Sequence, residues 1–238
     1  MKFLTIDTTT KVTALALAED GSLVAEGFLH THKTHSERLI PLLDQLFAAA
    51  GWKLAELDFI GVVRGPGSFT GIRIGLATAQ GMAQVLEVPL LGVLSLDALA
   101  WAGWGRDELI IPLLDARKNE WYTAGYRFDP MTNRPDRVLL PQAVAPEDWL
   151  QRLAGMGERF VFAGDAVLPY KEYLEKSLGN KAIILPEYAC LPRGAYAVRE
   201  VWQKWLENSE PADVEPFYIR KSEAEITWER KFGGKKYE

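Results

Sequence analysis

A chain of 238 residues with 48% apolar side chains is long enough for one large domain or two small lobes around a real core. Its formal net charge of −5 argues against a surface dominated by phosphate contacts, and a single cysteine, Cys190, excludes an internal disulfide framework and fits a reducing, cytoplasmic setting. No apolar run reaches membrane-spanning length, and the first residues lack the basic flank and long apolar core of a secretory signal.

The pattern begins with three short strands, Phe3 to Ile6, Val12 to Ala18 and Leu23 to Leu29, joined by the polar turn Asp7-Thr8-Thr9-Thr10 and by Asp20-Gly21. One carboxylate and three hydroxyls in the first turn could line a phosphate or metal-water site, although Asp and Thr are also common turn formers. His30, His32 and His35 follow. No Cys or carboxylate at zinc spacing completes that set, so we expect a polar strand-to-helix loop and no metal. Thr34 and Glu37 form a capping box ahead of a first helix, with Leu39, Leu42, Leu43, Leu46 and Phe47 at helical intervals and Gly51 as C-cap. Pro41 inside it predicts a bend.

The next stretch organises the chain. Phe59 to Val63 reads as a buried strand, and Arg64-Gly65-Pro66-Gly67-Ser68-Phe69-Thr70-Gly71 leads into a second helix, Ile72 to Leu86. Ser68 and Thr70 can cap its first N–H groups, a helix start suited to an anion. The loop is no Walker A, because Ile72 and Arg73 follow Gly71 where Lys and Ser or Thr are needed, and its glycines lack the dinucleotide spacing. Gly71, Gly75 and Ala79 recur every four residues, with Thr78 and Met82 beside them. They predict a flat face that lets a strand of the same sheet or a helix of another chain approach closely.

Pro89 to Leu94 reads as a parallel strand with Ser95 capping the helix after it. From Leu109 the grammar repeats: strand Leu109 to Leu114, turn Asp115 to Asn119, strand Trp121 to Phe128, strand Arg137 to Val144. Helices near Trp149 to Leu153, Lys171 to Leu178 and Gly194 to Leu206 then alternate with strands Phe160 to Ala163 and Ala182 to Leu185. We therefore expect an α/β fold of two related lobes, 1–104 and 105–221, followed by a charged, peripheral tail at 222–238.

With these residues laid out, the sequence resembles the TsaB (YeaZ) family of bacterial proteins. The resemblance rests on Ile6-Asp7-Thr8, His35-Ser36-Glu37-Arg38-Leu39, Arg64 to Gly75, Pro89 to Leu99, Asp115-Ala116-Arg117 before Trp121-Tyr122, and more weakly Pro216-Phe217-Tyr218-Ile219-Arg220. It implies the actin-like ATPase fold of sugar kinases and heat-shock ATPases, with a mixed sheet and flanking helices in each lobe. It also implies a role in making threonylcarbamoyladenosine (t6A) on transfer RNAs reading ANN codons, as a partner that pairs with and activates the catalytic TsaD subunit. The small TsaE ATPase and, through the complex, transfer RNA are implied as further partners. In the catalytic relative two metal-ligating histidines follow the strand that Pro89 to Val93 resembles. Ser95 and Leu99 stand at those places here and cannot supply imidazole, so no catalytic residue and no activity alone are implied. The older glycoprotease label has no activated nucleophile or zinc motif behind it.

The resemblance further implies that helices one and two form the contact with TsaD, or with a second copy in a homodimer. It places His35, Arg38, Leu39, Leu42, Leu46, Gly71, Ile72, Gly75, Thr78, Ala79 and Met82 at that contact. The alternative is that these side chains face the protein's own sheet. A different class of reading is weak ATP or ADP binding with magnesium around Asp7, Thr8, Thr9, Gly65, Gly67, Ser68, Thr70 and Asp115. The turns at Asp7 and Asp115 lack the glycines that let phosphate approach the backbone, which counts against efficient turnover.

Overall fold

The computed structural model describes residues 1–207 and 214–220; the expected tail at 222–238 lies outside them. Two five-stranded mixed sheets form the frame. In the first, β1 (Lys2–Asp7), β2 (Thr13–Glu19) and β3 (Ser22–Leu29) make an antiparallel meander. β4 (Phe59–Val63) and β5 (Leu90–Val93) add in parallel beyond β1, giving the order β3-β2-β1-β4-β5.

The second sheet repeats this topology strand for strand. β6 (Leu109–Asp115), β7 (Trp121–Asp129) and β8 (Arg134–Val144) form the meander, and β9 (Phe160–Ala163) and β10 (Ala182–Ile184) the parallel extension, in the order β8-β7-β6-β9-β10. The central strands β1, β4, β6 and β9 are almost wholly buried, which explains why they read as continuous apolar runs.

Helices cover the sheets where the apolar spacing directs. α1 (His35–Ala50) runs unbroken through Pro41, starts at a Thr34–Glu37 capping box whose carboxylate accepts the Thr34 N–H at 2.8 Å, and ends at Gly51 with φ +68°. α2 (Phe69–Leu86) opens three residues earlier than its apolar spacing suggests, with Ser68 Oγ accepting the Gly71 N–H at 3.3 Å. α4 (Pro146–Gly155) and α5 (Lys171–Leu178) pack on the second core, with Trp149, Leu153 and Leu174 buried; α6 (Glu187–Cys190) follows.

Two departures from the two-lobe reading matter. α3 (Ser95–Ala100) follows β5, yet Leu96, Leu99 and Ala100 belong to the hydrophobic core of the second sheet. Conversely α7 (Gly194–Leu206), expected in the second lobe, crosses back: Ala197, Val198 and Val201 pack against Phe3, Phe59 and Leu91 of the first sheet. There Trp205, Phe59, Phe3 and Trp202 form a stack with neighbouring ring centroids 4.2, 4.5 and 5.8 Å apart. Each lobe thus completes its core with a helix that is distant or displaced in sequence, which local periodicity cannot reveal.

Candidate functional site: an interlobe cleft and an outer helix face

A cleft of about 940 Å3 opens between the lobes. From the first lobe it is lined by Thr9 to Lys11, the loop from His30 to Thr34, and Gly67 to Thr70; from the second by Asp115 to Lys118 and Asp165. The turn after β1 is closed onto the glycine loop. Asp7 is buried and accepts the Thr9 N–H at 2.9 Å and the Thr9 hydroxyl at 2.7 Å; burial pushes its carboxyl above the ordinary range. The Ser68 N–H donates to Thr9 O at 2.6 Å, and a Cβ on Gly67 would fall 2.2 Å from that same oxygen. Two donors at the helix start, the N–H groups of Ser68 and Gly71, are therefore bonded within the chain, the second by the Ser68 cap.

On the opposite wall the Asp115 carboxylate accepts the Arg117 N–H at 2.7 Å, while Asp165 accepts the Asp115 N–H at 3.1 Å. Burial, with Asp115 nearby, raises the Asp165 carboxyl to about 6. Sequence reasoning missed Asp165. The signal was present in the repeat: Gly164-Asp165 follows β9 as Arg64-Gly65 follows β4, and Gly164 (φ +115°) has no room for a Cβ beside Leu113 O.

The expected partner residues are placed differently from one another. Leu39, Leu42 and Leu46 are buried in the core under the first sheet, along with Ala79. Ile72 is buried against Gly65, and Gly71 and Gly75 fit over Thr8, where a Cβ would come within 2.0 Å of Thr8 O and 2.3 Å of Thr8 Oγ1 respectively. The small-residue face of α2 thus lies against the protein's own sheet, the first of the two approaches that its spacing allows. His35 and Arg38 are also internal ties. His35 Nε2 donates to Thr10 O at 2.8 Å with Nδ1 facing the Thr13 hydroxyl, burial lowers its pKa, and buried Arg38 donates to Lys11 O and Thr31 O. Thr78 and Met82 remain half exposed.

Beside that inner face α2 carries another stripe, Ile74, Ala77, Thr78, Gly81, Met82 and Val85, which is half exposed or exposed throughout. Val85 is 82% exposed, and a Cβ on Gly81 would meet nothing within 4 Å. On α1, Ile40 is 52% exposed.

Ser95, expected as a helix cap, is instead the first residue of α3. Its N–H donates to Gly65 O and its hydroxyl to Pro66 O at 2.5 Å, so it locks the glycine loop. Leu99 lies in the second core. His30 and His32 are exposed on the cleft rim, and among the described residues no three His, Cys, Asp or Glu side chains are grouped to hold a metal ion. No helix of the described residues is long and apolar enough to cross a membrane.

A family model described as TsaD, tRNA N6-adenosine threonylcarbamoyltransferase, matches residues 29–228. The tRNA threonylcarbamoyladenosine biosynthesis protein TsaB of Bacillus subtilis is 33% identical over 96% of this chain and 98% of its own length. The chain belongs to the TsaB family. The TsaB protein of Haemophilus influenzae is 28% identical over 97% of each chain. Among solved structures, YeaZ from Pseudomonas aeruginosa superposes with a TM-score of 0.75 at 26% identity, over 91% of this chain and 99% of that one. The repeated sheets are the actin-like ATPase fold. In agreement, component A of the Acidaminococcus fermentans (R)-2-hydroxyglutaryl-CoA dehydratase shares the fold with a TM-score of 0.51 at 10% identity.

Proposed function

We propose that this TsaB-family chain is a non-catalytic subunit of the machinery that makes threonylcarbamoyladenosine on transfer RNA, pairing with and activating a TsaD-type catalytic subunit. The outer stripe of α2 carries the pairing. An exposed glycine inside a helix costs about 1 kcal/mol relative to alanine, and among the described residues Gly81 has no neighbour that needs the space. A second helix laid along Ala77, Gly81 and Val85 supplies that reason, with Met82 adapting its thioether to the partner. The same stripe pairs two copies when the catalytic subunit is absent. Contact with transfer RNA and with the TsaE ATPase is made through the complex, in the cytoplasm.

Reconstitution tests the reading: the catalytic subunit, the ATPase, transfer RNA and the activated threonylcarbamoyl donor are combined with and without this chain, and modified adenosine is scored. Equal yield without the chain would refute it.

A second reading, favoured by the interlobe cleft, is weak binding of ATP or ADP with magnesium. Asp115 and Asp165 offer carboxylates on one wall, with Thr9, Thr10 and Lys11 opposite. The internal bonds of Asp7 and Ser68 limit this to weak affinity without efficient hydrolysis. Calorimetry on the isolated chain decides: saturable micromolar binding with steady turnover would replace the partner reading by an enzymatic one.

A further inference from the structure

The segment 214–220 carries the Pro216-Phe217-Tyr218-Ile219-Arg220 motif, which pairing does not explain. It is seated on the first lobe by a run of close contacts. Gln80 donates to Val214 O at 3.0 Å, Arg64 donates to Glu215 O at 3.2 Å, and the Phe217 N–H donates to Arg64 O at 2.8 Å. Two glycines make room for it: a Cβ on Gly92 would lie 2.4 Å from Val214 Cγ1, and one on Gly65 2.6 Å from Phe217 O. Further along, the Tyr218 ring stacks on Phe69 at 4.7 Å and its hydroxyl accepts from Arg73 Nε at 3.1 Å, both in the first turns of α2. Tyr218 and Arg220 then line the cleft.

The far end reaches the other lobe. Arg220 forms an ion pair with Glu120, half buried on both sides. Glu120 closes the turn between β6 and β7, in which Arg117, Lys118 and Asn119 all hold positive φ, at 60°, 53° and 57°. Consecutive left-handed L-residues are costly and persist only where their surroundings hold them. The contacts that hold it include Ala116 N–H to Glu120 O, Glu120 N–H to Arg117 O, Arg117 N–H to Asp115 Oδ1, and the Arg220 pair. The same turn positions Asp115 in the cleft.

We propose that residues 214–220 form a latch across the cleft, with Arg220–Glu120 as its releasable end. Asp97 of α3 is gripped by Arg137 and by the Tyr126 hydroxyl at 2.6 Å, which holds α3 to the second sheet. In front, the latch holds the lobes closed and presses Tyr218 onto α2. Release opens the cleft and frees the start of the helix that carries the pairing stripe. Control of α2 is the one point at which this inference rests on the pairing reading.

The test uses the isolated full chain, so its failure is separate from any failure to pair. Spin labels at Gln45→Cys on α1 and Gln151→Cys on α4, both exposed, report the interlobe distance. Native Cys190 is buried with its thiol pushed up to about 12 and resists labelling. Arg220→Gln and Glu120→Gln are each expected to shift the distance distribution to longer values and to accelerate hydrogen exchange at the Phe217 amide. The exchanged pair Arg220→Glu with Glu120→Arg is expected to restore both. Distributions that stay at the native distance in the single variants overturn the latch, as does an exchanged pair that opens as far as they do.

Discussion

The Thr8 hydroxyl donates to the carbonyl oxygen of Gly71 at 2.7 Å, while the bare Cα of Gly71 lies against the Thr8 carbonyl. The turn after the first strand and the start of α2 are thereby built as one unit. Glycines of α2 consequently differ in what they do, and substitutions along one helix should change stability in opposite directions.

Gly75→Ala is expected to destabilise the protein by about 1–3 kcal/mol, because the added methyl meets Thr8 Oγ1 at 2.3 Å and overpacking outweighs the helix-propensity gain. Gly81→Ala, with open space around it, should stabilise by about 0.5–1 kcal/mol through propensity alone. Urea denaturation midpoints of the two variants check the opposite signs.

Val85→Asp and Gly81→Arg should each abolish co-purification with a TsaD-type subunit, with the stability of Val85→Asp within about 0.5 kcal/mol of the parent and that of Gly81→Arg raised as in Gly81→Ala, since neither position is buried. Retained pairing in both variants would place the contact elsewhere.

Arg38→Met should cost about 2–3 kcal/mol. It removes charge-assisted hydrogen bonds from a buried guanidinium to Lys11 O and Thr31 O and leaves both carbonyls short of a donor. The loss would appear in the chain alone, by calorimetric melting, with no partner present.

Glu200 gives a pH dependence. Its carboxylate accepts the Trp101 indole N–H at 2.9 Å, and burial raises its pKa from the ordinary 4.5 to about 7; Asp97 and Glu207 add to the rise and Arg137 opposes it. The folded protein therefore prefers the protonated group. Stability is full below about 4.5 and declines as pH rises through 7, by at most about 3 kcal/mol. Glu200→Gln keeps an acceptor for Trp101 and should flatten that decline, so melting temperatures of the two proteins should diverge between pH 5 and pH 8.

How much of this was legible in the sequence depends on the range of the interaction. The capping box at Thr34, the Gly51 stop and the duplicated strand grammar are local, and they stand in the structure as the residues suggest. The direction of the small face on α2 is set by Thr8, more than sixty residues earlier, and only the pairing of β1 with β4 brings the two together. Ser95 has the form of a cap, but it stands inside the helix and its hydroxyl donates to Pro66 O across the glycine loop. In the cleft, Asp115 could be named from its turn, whereas Asp165 required the two sheets to be superposed in thought.

The ring stack of Phe3 and Phe59 between Trp202 and Trp205 bears on the order in which the protein is made. The second sheet's core is complete once Cys190 has been synthesised, but the first lacks one wall until α7 follows. On a ribosome, the lobe translated first is thus the lobe finished last, and its open aromatic face must wait, unshielded, until α7 has been made.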